Sequence, residues 1–198
     1  MSETTTKTRE LLLDAARQVF ARKGIERTTM NDIAVASRKG RRTLYMYFKS
    51  KEEISSLVVQ NEMERLYQML EAVEKKDLPA DEKLLTFIYM RLEAFKTIVT
   101  RNGTLRANFF HDSWNVAKVR KGYNLQEISL IKKILKNGIH EGIFYVPDIE
   151  MTALIIHYSL KGIEVPYIRG LLGDTQDASV DHKDSVINLI FKGIKIKT

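Results

Sequence analysis

Residues 28–51 read TTMNDIAVASRKGRRTLYMYFKSK, and this segment predicts the fold of the N-terminal part of the chain. Its pattern predicts two short helices, at about 30–36 and 41–47, with a four-residue turn between them. Thr29 and Asp32 have the three-residue spacing of a capping box, which would start the first helix. Two short helices joined by such a turn form a helix-turn-helix.

The second of these helices has an apolar side and a polar side. Leu44 and Phe48 are four residues apart, so they share a face that can anchor the helix to a core. Arg41 and Arg42 stand at its N-terminus, from which such a helix reaches base edges in the major groove. Because an arginine fork matches the O6 and N7 atoms of guanine, we expect the two arginines to contact bases.

Further candidate DNA contacts surround this helix. Lys51 and the N-terminus of the next helix would face an anion together, and Ser50 and Glu53 predict a second capping box there. Thr29 is a helix cap first and a phosphate contact second. The predicted DNA-binding set combines the two base-reading arginines with side chains expected at or near the phosphates: Thr29, Lys39, Arg41, Arg42, Thr43, Tyr45, Tyr47 and Lys51.

Some of these side chains, and Phe48 beside them, also have a plainer interpretation. Tyr45 and Phe48 could be core aromatic residues, and Arg41 and Arg42 could be solvated surface charge. The charge distribution favours a binding role. The formal net charge is +7, and residues 1–51 hold twelve Lys and Arg against five Asp and Glu, whereas the rest holds twenty of each. Such a basic segment suggests nucleic acid or a membrane surface as its partner.

Composition and motifs exclude several classes of protein. The chain of 198 residues has no cysteine, which excludes disulfides, thiolate nucleophiles and cysteine-ligated metals. It lacks the P-loop, GxSxG, HExxH and dinucleotide-binding motifs, and its four histidines have no metal-ligand spacing. We expect no enzyme activity, no metal and no cofactor.

Membrane insertion and secretion are not expected either. No apolar stretch approaches the ~20 residues of a membrane-spanning helix, and the N-terminus lacks the apolar region of a secretory signal. We therefore expect a cytoplasmic protein without a membrane partner.

Helical periodicity runs through the rest of the chain, and no segment alternates convincingly with period two. This pattern predicts an all-α fold of about nine helices. Gly142 is a better candidate than Gly138 for the glycine that ends the seventh helix, and Pro166 is expected to kink or end the eighth. Asp148 is the expected N-cap of the eighth helix. The expected helices cover about 7–23, 30–36, 41–47, 51–76, 80–101, 104–113, 117 or 124 to 141, 149–168 and 183–195.

The N-terminal pattern resembles that of the tetracycline-repressor (TetR/AcrR-type) family of bacterial transcription regulators. Residues 21–24 correspond to its AxKG, residues 28–34 to its T-T-x-x-x-I-A, and residues 43–53 to its T-L-Y-x-x-F-x-S-K-E-E. The turn departs from the family's usual A-G-V-S. Arg38 stands at the glycine position, Lys39 at the valine position and Gly40 at the serine position, and Tyr47 replaces a common histidine.

The resemblance implies two domains. Residues 1–50 would bind DNA, and residues 51–198 would bind a ligand and dimerise. Helices between residues 51 and 141 would enclose a pocket for a small-molecule effector, and the last two helices would form a homodimer through a four-helix bundle. The candidate pocket residues are Phe87, Met90, Arg91, Arg106, Phe110 and Trp114, and the candidate dimer residues are Leu154, Tyr158, Leu189 and Ile190.

Two of the pocket candidates are cations, and a buried Arg91 or Arg106 would attract an acidic effector. Surface exposure is the plainer interpretation of both arginines, and plain core packing is the plainer interpretation of the aromatic and methionine side chains.

The leading hypothesis is a ligand-responsive homodimeric transcriptional regulator, a repressor by the family's default. It would bind a palindromic double-stranded operator through the major groove. Two alternatives stay open on the sequence. A sequence-nonspecific architectural protein would use the same basic segment and discriminate little between operator and random DNA. A helical small-molecule-binding protein or enzyme would not bind DNA at all.

Overall fold

The computed structural model of the chain describes residues 3–101, 114–169 and 194. The regular elements of these residues are seven α-helices, which confirms the predicted all-α fold. No helix among them is both long and apolar enough to cross a membrane. The helices are α1 (Glu3–Lys23), α2 (Met30–Ala36), α3 (Arg41–Tyr47), α4 (Lys51–Glu74), α5 (Ala80–Arg101), α6 (Trp114–His140) and α7 (Ile149–Ile168).

The predicted bounds agree with the structure for α2, α3, α5 and α7, which Asp148 caps as predicted, and they differ elsewhere. α1 begins earlier than predicted because its first turn is polar and carries no apolar period. α6 also begins earlier, because Gly122 interrupts its pattern. Pro166 lies inside α7, which ends two residues later. The helices predicted at 104–113 and 183–195 lie outside the described residues.

The chain forms two compact units. The first comprises residues 1–64 and 98–121, and the second comprises residues 65–97 and 122–198. Compactness does not delimit function, so the functional boundary predicted between residues 50 and 51 stays a prediction.

The first unit is built around the apolar side of α1. α1 packs against α2, and α2 packs against α3. An ion pair between Arg17 Nε and Glu62 Oε1, 3.2 Å apart, joins α1 to α4. The buried apolar side chains of this unit include Leu12, Leu13, Ala16, Val19, Phe20, Ile33, Ala34, Leu44, Phe48, Ile54, Val58 and Val59.

The second unit draws its core mainly from α5, α6 and α7. The Glu141 carboxylate accepts a hydrogen bond of 2.8 Å from the backbone nitrogen of Ala80, which satisfies one free amide at the start of α5. The buried apolar side chains include Leu84, Phe87, Ile88, Leu92 and Phe95 from α5, Leu130, Ile131, Ile134 and Leu135 from α6, and Ala153, Ile156 and Leu160 from α7.

A left-handed glycine follows α6, as predicted. Gly142 has a φ of 71°. Its amide donates to the carbonyl of Ile139, and the amide of Ile143 donates to the carbonyl of Gly138, at 3.1 and 2.8 Å. This pair of bonds is a Schellman motif. Gly138 has a second role, because a Cβ at this position would overlap the buried ring of Phe144.

We expect Gly138→Ala to destabilise the protein and Gly122→Ala, in the same helix, to have no such effect. The added methyl group meets the Phe144 ring in the first variant and no atom within 4 Å in the second. Overpacking costs about 1–3 kcal/mol, whereas an alanine in place of an exposed helical glycine gains up to about 1 kcal/mol. Urea denaturation measures both. A Gly138→Ala variant as stable as the parent would contradict this packing.

Candidate functional site

A capping box starts α2, as predicted. The Thr29 hydroxyl accepts a hydrogen bond of 3.1 Å from the backbone nitrogen of Asp32, and the Asp32 carboxylate accepts one of 2.8 Å from the backbone nitrogen of Thr29. Lys23 Nζ lies 2.7 Å from the same carboxylate. The hydrogen bond from Lys23, followed by those from Thr29, lowers the pKa of Asp32 to about 2. The carboxylate therefore stays ionised at neutral pH and fixes the start of α2.

The second predicted capping box, at the start of α4, forms only in part. The Ser50 hydroxyl accepts a hydrogen bond of 3.3 Å from the backbone nitrogen of Glu53, as expected. The Glu53 carboxylate, however, accepts from the backbone nitrogen of Lys49, at 2.7 Å, one residue before the expected donor. The side chain still satisfies a free amide ahead of α4.

The turn between α2 and α3 is a Schellman motif with an arginine in its left-handed position. Arg38 has a φ of 54°. Its amide donates to the carbonyl of Val35, and the amide of Lys39 donates to the carbonyl of Ala34, both at 3.1 Å. A left-handed conformation costs a residue with a Cβ about 1–2 kcal/mol. The turn thus has the backbone of a glycine-terminated helix without the glycine.

α3 is held by its apolar side and exposes the opposite side. Leu44 and Phe48 are buried, whereas Arg41 and Arg42 are exposed in its first turn. Neither arginine pairs with a carboxylate in the described part of the chain. Tyr45 is about half exposed. Because these guanidinium groups face solvent, they are available to phosphates and base edges.

All the residues predicted to contact DNA lie in the first unit, and none of them is buried. Their interactions with DNA stay predictions. The exposed members are Thr29, Lys39, Arg41, Arg42 and Tyr45, and the half-buried members are Thr43, Tyr47 and Lys51.

Lys51 has a structural role that its sequence position did not indicate. Its Nζ donates hydrogen bonds of 3.0 and 2.9 Å to the backbone carbonyls of Ile25 and Glu26. The ammonium group thereby ties the start of α4 to the segment after α1. A lysine ammonium has three N–H donors, so one is left for the phosphate contact that the sequence predicts.

The candidate pocket residues Phe87, Met90 and Arg91 lie on α5 in the second unit. Phe87 is buried and Met90 is half-buried. Arg91 is only 1% exposed, so its interpretation as a surface residue is wrong. Trp114 is the first residue of α6, and only its backbone is described. Arg106 and Phe110 lie outside the described residues. The pocket itself stays a prediction.

Arg91 belongs to a buried ionic cluster, which consists of Arg91, Glu127, His157 and Glu164. Arg91 Nε donates to Glu127 Oε1 over 2.7 Å, and Arg91 Nη2 donates to Glu164 Oε1 over 2.6 Å. His157 Nδ1 lies 2.8 Å from the same Glu127 oxygen. The four side chains are 1–8% exposed, and the guanidinium stacks on the Phe95 ring at 4.9 Å.

The charges of this cluster stabilise each other. Burial alone would raise the pKa of Glu127, but the charge of Arg91 and the hydrogen bond from His157 outweigh it and lower that pKa. Burial also opposes the charge of Arg91, and the two carboxylates outweigh it, so the pKa of the guanidinium is raised. The ion pairs therefore persist at neutral pH.

The sequence alone did not single out Glu127, His157 or Glu164, although a signal was present. Each stands in the inward phase of its helix. Glu127 precedes the buried Ile131 by four positions, and Glu164 follows the buried Leu160 by four. A charged residue is almost never fully buried unless it is paired. Such positions therefore predict a partner on another helix.

The exposed side of α7 is apolar over two turns. Three exposed side chains share this face at a spacing of four and three residues: Met151, Ile155 and Tyr158. Of the candidate dimer residues, Tyr158 lies on this face and Leu154 is half-buried. Leu189 and Ile190 lie outside the described residues. The dimer contacts stay predictions.

Known proteins are similar to this chain in sequence and in fold. Residues 12–56, from α1 to the start of α4, match the family described as "Bacterial regulatory proteins, tetR family". The HTH-type transcriptional regulator YhgD of Bacillus subtilis is 26% identical over 148 residues, which are 75% of this chain and 78% of that protein. Residues 12–56 of this chain are therefore similar to the DNA-binding part of tetR-family regulators.

Two further similarities extend over nearly the whole length of the chain. The fatty acid metabolism regulator protein of Bacillus subtilis is 25% identical over 192 residues, 94% of this chain and 95% of that protein. The crystal structure of a transcriptional regulator from Cytophaga hutchinsonii has a TM-score of 0.75 and 24% identity, with coverage of 94% of this chain and 98% of that chain. The second similarity shows a shared fold.

The departures from the usual tetR-family turn now have a structural description. Arg38 adopts the left-handed conformation at the glycine position. Lys39 is exposed at the valine position. Gly40, at the serine position, gives α3 no side-chain cap. The turn forms with a left-handed arginine in place of a glycine, and Arg38 and Lys39 each add a positive charge.

We expect Arg38→Gly to be more stable than Arg38→Ala by about 1 kcal/mol, because only glycine relieves the left-handed strain. Both variants lose the same charge, so the difference between them isolates the backbone. Urea denaturation of the two proteins measures it. An alanine variant as stable as the glycine variant would show that position 38 is not left-handed in solution.

Proposed function

We propose that this protein is a ligand-responsive, homodimeric transcriptional repressor that reads a palindromic operator with α3. The proposal rests on the surface of α3. Arg41 and Arg42 are exposed there and have no ion-pair partner in the described part of the chain, while Leu44 and Phe48 anchor the helix. A recognition helix held in this way presents its N-terminal side chains to the major groove. The exposed Lys39 in the preceding turn adds positive charge beside it.

A homodimer accounts for a palindromic operator. Two half-sites about one helical turn apart, ~34–36 Å, need two recognition helices related by a two-fold axis. The exposed apolar face of α7, which includes Ile155 and Tyr158, supports this state, since contiguous apolar surface marks interaction sites.

The effector is proposed to bind in the second unit and to act on DNA affinity through α4. This helix supplies residues to both units. A ligand shifts the regulator only by its different affinities for the DNA-bound and free states. We therefore expect a change in the spacing of the two recognition helices when effector binds.

The direct test is a binding titration against DNA from upstream of the protein's own gene, with random DNA of equal length as control, at two salt concentrations. We expect saturable binding of two protomers to the upstream DNA and weaker, more salt-sensitive binding to the control. Equal binding to both would favour the architectural alternative. Absence of binding to both would contradict a DNA role at this site.

We expect Arg41→Ala and Arg42→Ala to lower operator affinity by about 1–3 kcal/mol and to relax specificity at one base position each. Lys39→Ala should weaken binding to all sequences alike and flatten the salt dependence by about one phosphate contact. Lys136→Ala, an exposed lysine on α6, controls for the loss of one charge. Equal losses on operator and random DNA for every variant would refute this division of roles.

We expect Tyr158→Glu to convert the dimer to monomers and to weaken operator binding, because it places a charge in the proposed apolar contact. Tyr145→Glu is the matched control, since Tyr145 is 72% exposed and Tyr158 is 60% exposed. Sedimentation equilibrium gives the masses. A dimeric Tyr158→Glu variant would remove this face of α7 from the interface.

A further inference from the structure

The buried ionic cluster contains two nitrogen atoms that lack a hydrogen-bond partner among the described residues. They are Arg91 Nη1 and His157 Nε2. Both side chains are 1% exposed, so bulk water does not serve them. A buried polar group left unsatisfied costs about 1–3 kcal/mol. Two such atoms in one cluster indicate a partner that the cluster itself does not supply.

The two atoms belong to side chains held by a single oxygen. Glu127 Oε1 binds Arg91 Nε at 2.7 Å and His157 Nδ1 at 2.8 Å. This shared oxygen keeps the guanidinium and the imidazole side by side. Aromatic rings flank both groups, Phe95 beneath the guanidinium and Tyr158 edge-on to the imidazole at 5.1 Å.

The two unpaired atoms need opposite partners. An ionised carboxylate only accepts hydrogen bonds, so the bond to Glu127 places the imidazole proton on His157 Nδ1. We take the ring in its neutral form, in which His157 Nε2 is an acceptor. Arg91 Nη1 can only donate. A group that satisfies both atoms must accept one hydrogen bond and donate another.

The charge of the cluster disfavours an anion. One guanidinium already pairs with two carboxylates, those of Glu127 and Glu164. A ligand carboxylate would bring a further negative charge close to these two carboxylates, which is unfavourable in a buried site. An acidic effector, suggested by Arg91 in the sequence, is therefore not favoured. Nor do the described residues include three side chains placed to hold a metal ion.

We propose that this cluster binds the hydroxyl group of an uncharged ligand, an alcohol or a phenol. The ligand oxygen accepts a hydrogen bond from Arg91 Nη1, and its O–H donates to His157 Nε2. This inference names the class of effector. It rests on the proposed regulator function only where it implies that the ligand changes DNA binding.

The test follows the imidazole nitrogens of the full-length, ¹⁵N-labelled protein by NMR while phenol is added. Toluene and benzoate are the matched probes, since toluene lacks the hydroxyl and benzoate carries an anion. The chain has four histidines, so the spectrum of His157→Gln assigns the signal of interest. We expect His157 to be the Nδ1–H tautomer, and phenol alone to shift its Nε2 resonance saturably.

Variants test the same contact by affinity. His157→Gln should weaken phenol binding about tenfold or more, since one hydrogen bond of ~1.4 kcal/mol is a factor of ten. His140→Gln, at an exposed histidine at the end of α6, should leave the affinity unchanged. Circular dichroism checks that both variants fold. If His157→Gln does not fold, Gln variants of His111, His140 and His182 assign the other three signals, and the titration of the parent protein still decides.

Three results would overturn the inference. The first is an imidazole proton on His157 Nε2, and the second is a shift of the His157 resonance with benzoate in place of phenol. The third is no shift with phenol, which is expected if a water molecule pairs both atoms. The measurement contains no DNA, so it is independent of the operator assay. Operator binding without a phenol response removes this inference alone, and a phenol response without operator binding removes the proposed DNA role alone.

Discussion

A seven-residue helix has little stability of its own in water, and α3 is such a helix. Its N-cap, Gly40, provides no side-chain hydrogen bond. The positions of Arg41 and Arg42 therefore depend on the burial of Leu44 and Phe48, each worth about 1.5–3 kcal/mol. The exposed face of α3 can carry any side chains that recognition requires, because the opposite face alone holds the helix in place.

The second unit depends on a different kind of interaction. A buried ion pair is weak evidence for stability, since the desolvation of its charges offsets their attraction. The hydrogen bonds from Arg91 to Glu127 and Glu164 instead have direction, and they join α5 to α6 and α7 at fixed distances. A polar network of this kind is stabilising only when every member is satisfied. Arg91 Nη1 and His157 Nε2 have no partner among the described residues, and the proposed hydroxyl ligand would supply one to each.

The first unit could be predicted closely from the sequence because its determinants are local. Thr29 caps a helix through a residue three positions away, and Leu44 and Phe48 share a face at a spacing of four. The buried ionic cluster joins positions that are 30 to 73 residues apart. The bonds from Lys51 to the carbonyl of Ile25 span 26 residues. No local sequence pattern indicates which helices pack together. These contacts could therefore not be predicted from the sequence and are seen only in the structure.

The turn before α3 departs from the residue preferences of a Schellman motif at two positions, and both departures agree with the proposed function. Arg38 occupies a left-handed position that favours glycine. Lys39 is exposed where a Schellman motif frequently has an apolar contact. Each departure weakens the turn, and each adds a positive charge next to Arg41 and Arg42. Each phosphate that such a cation neutralises releases counterions and raises affinity for DNA. A protein departs from local preference mainly at functional sites, so the strain at Arg38 is itself an argument that this surface meets an anion.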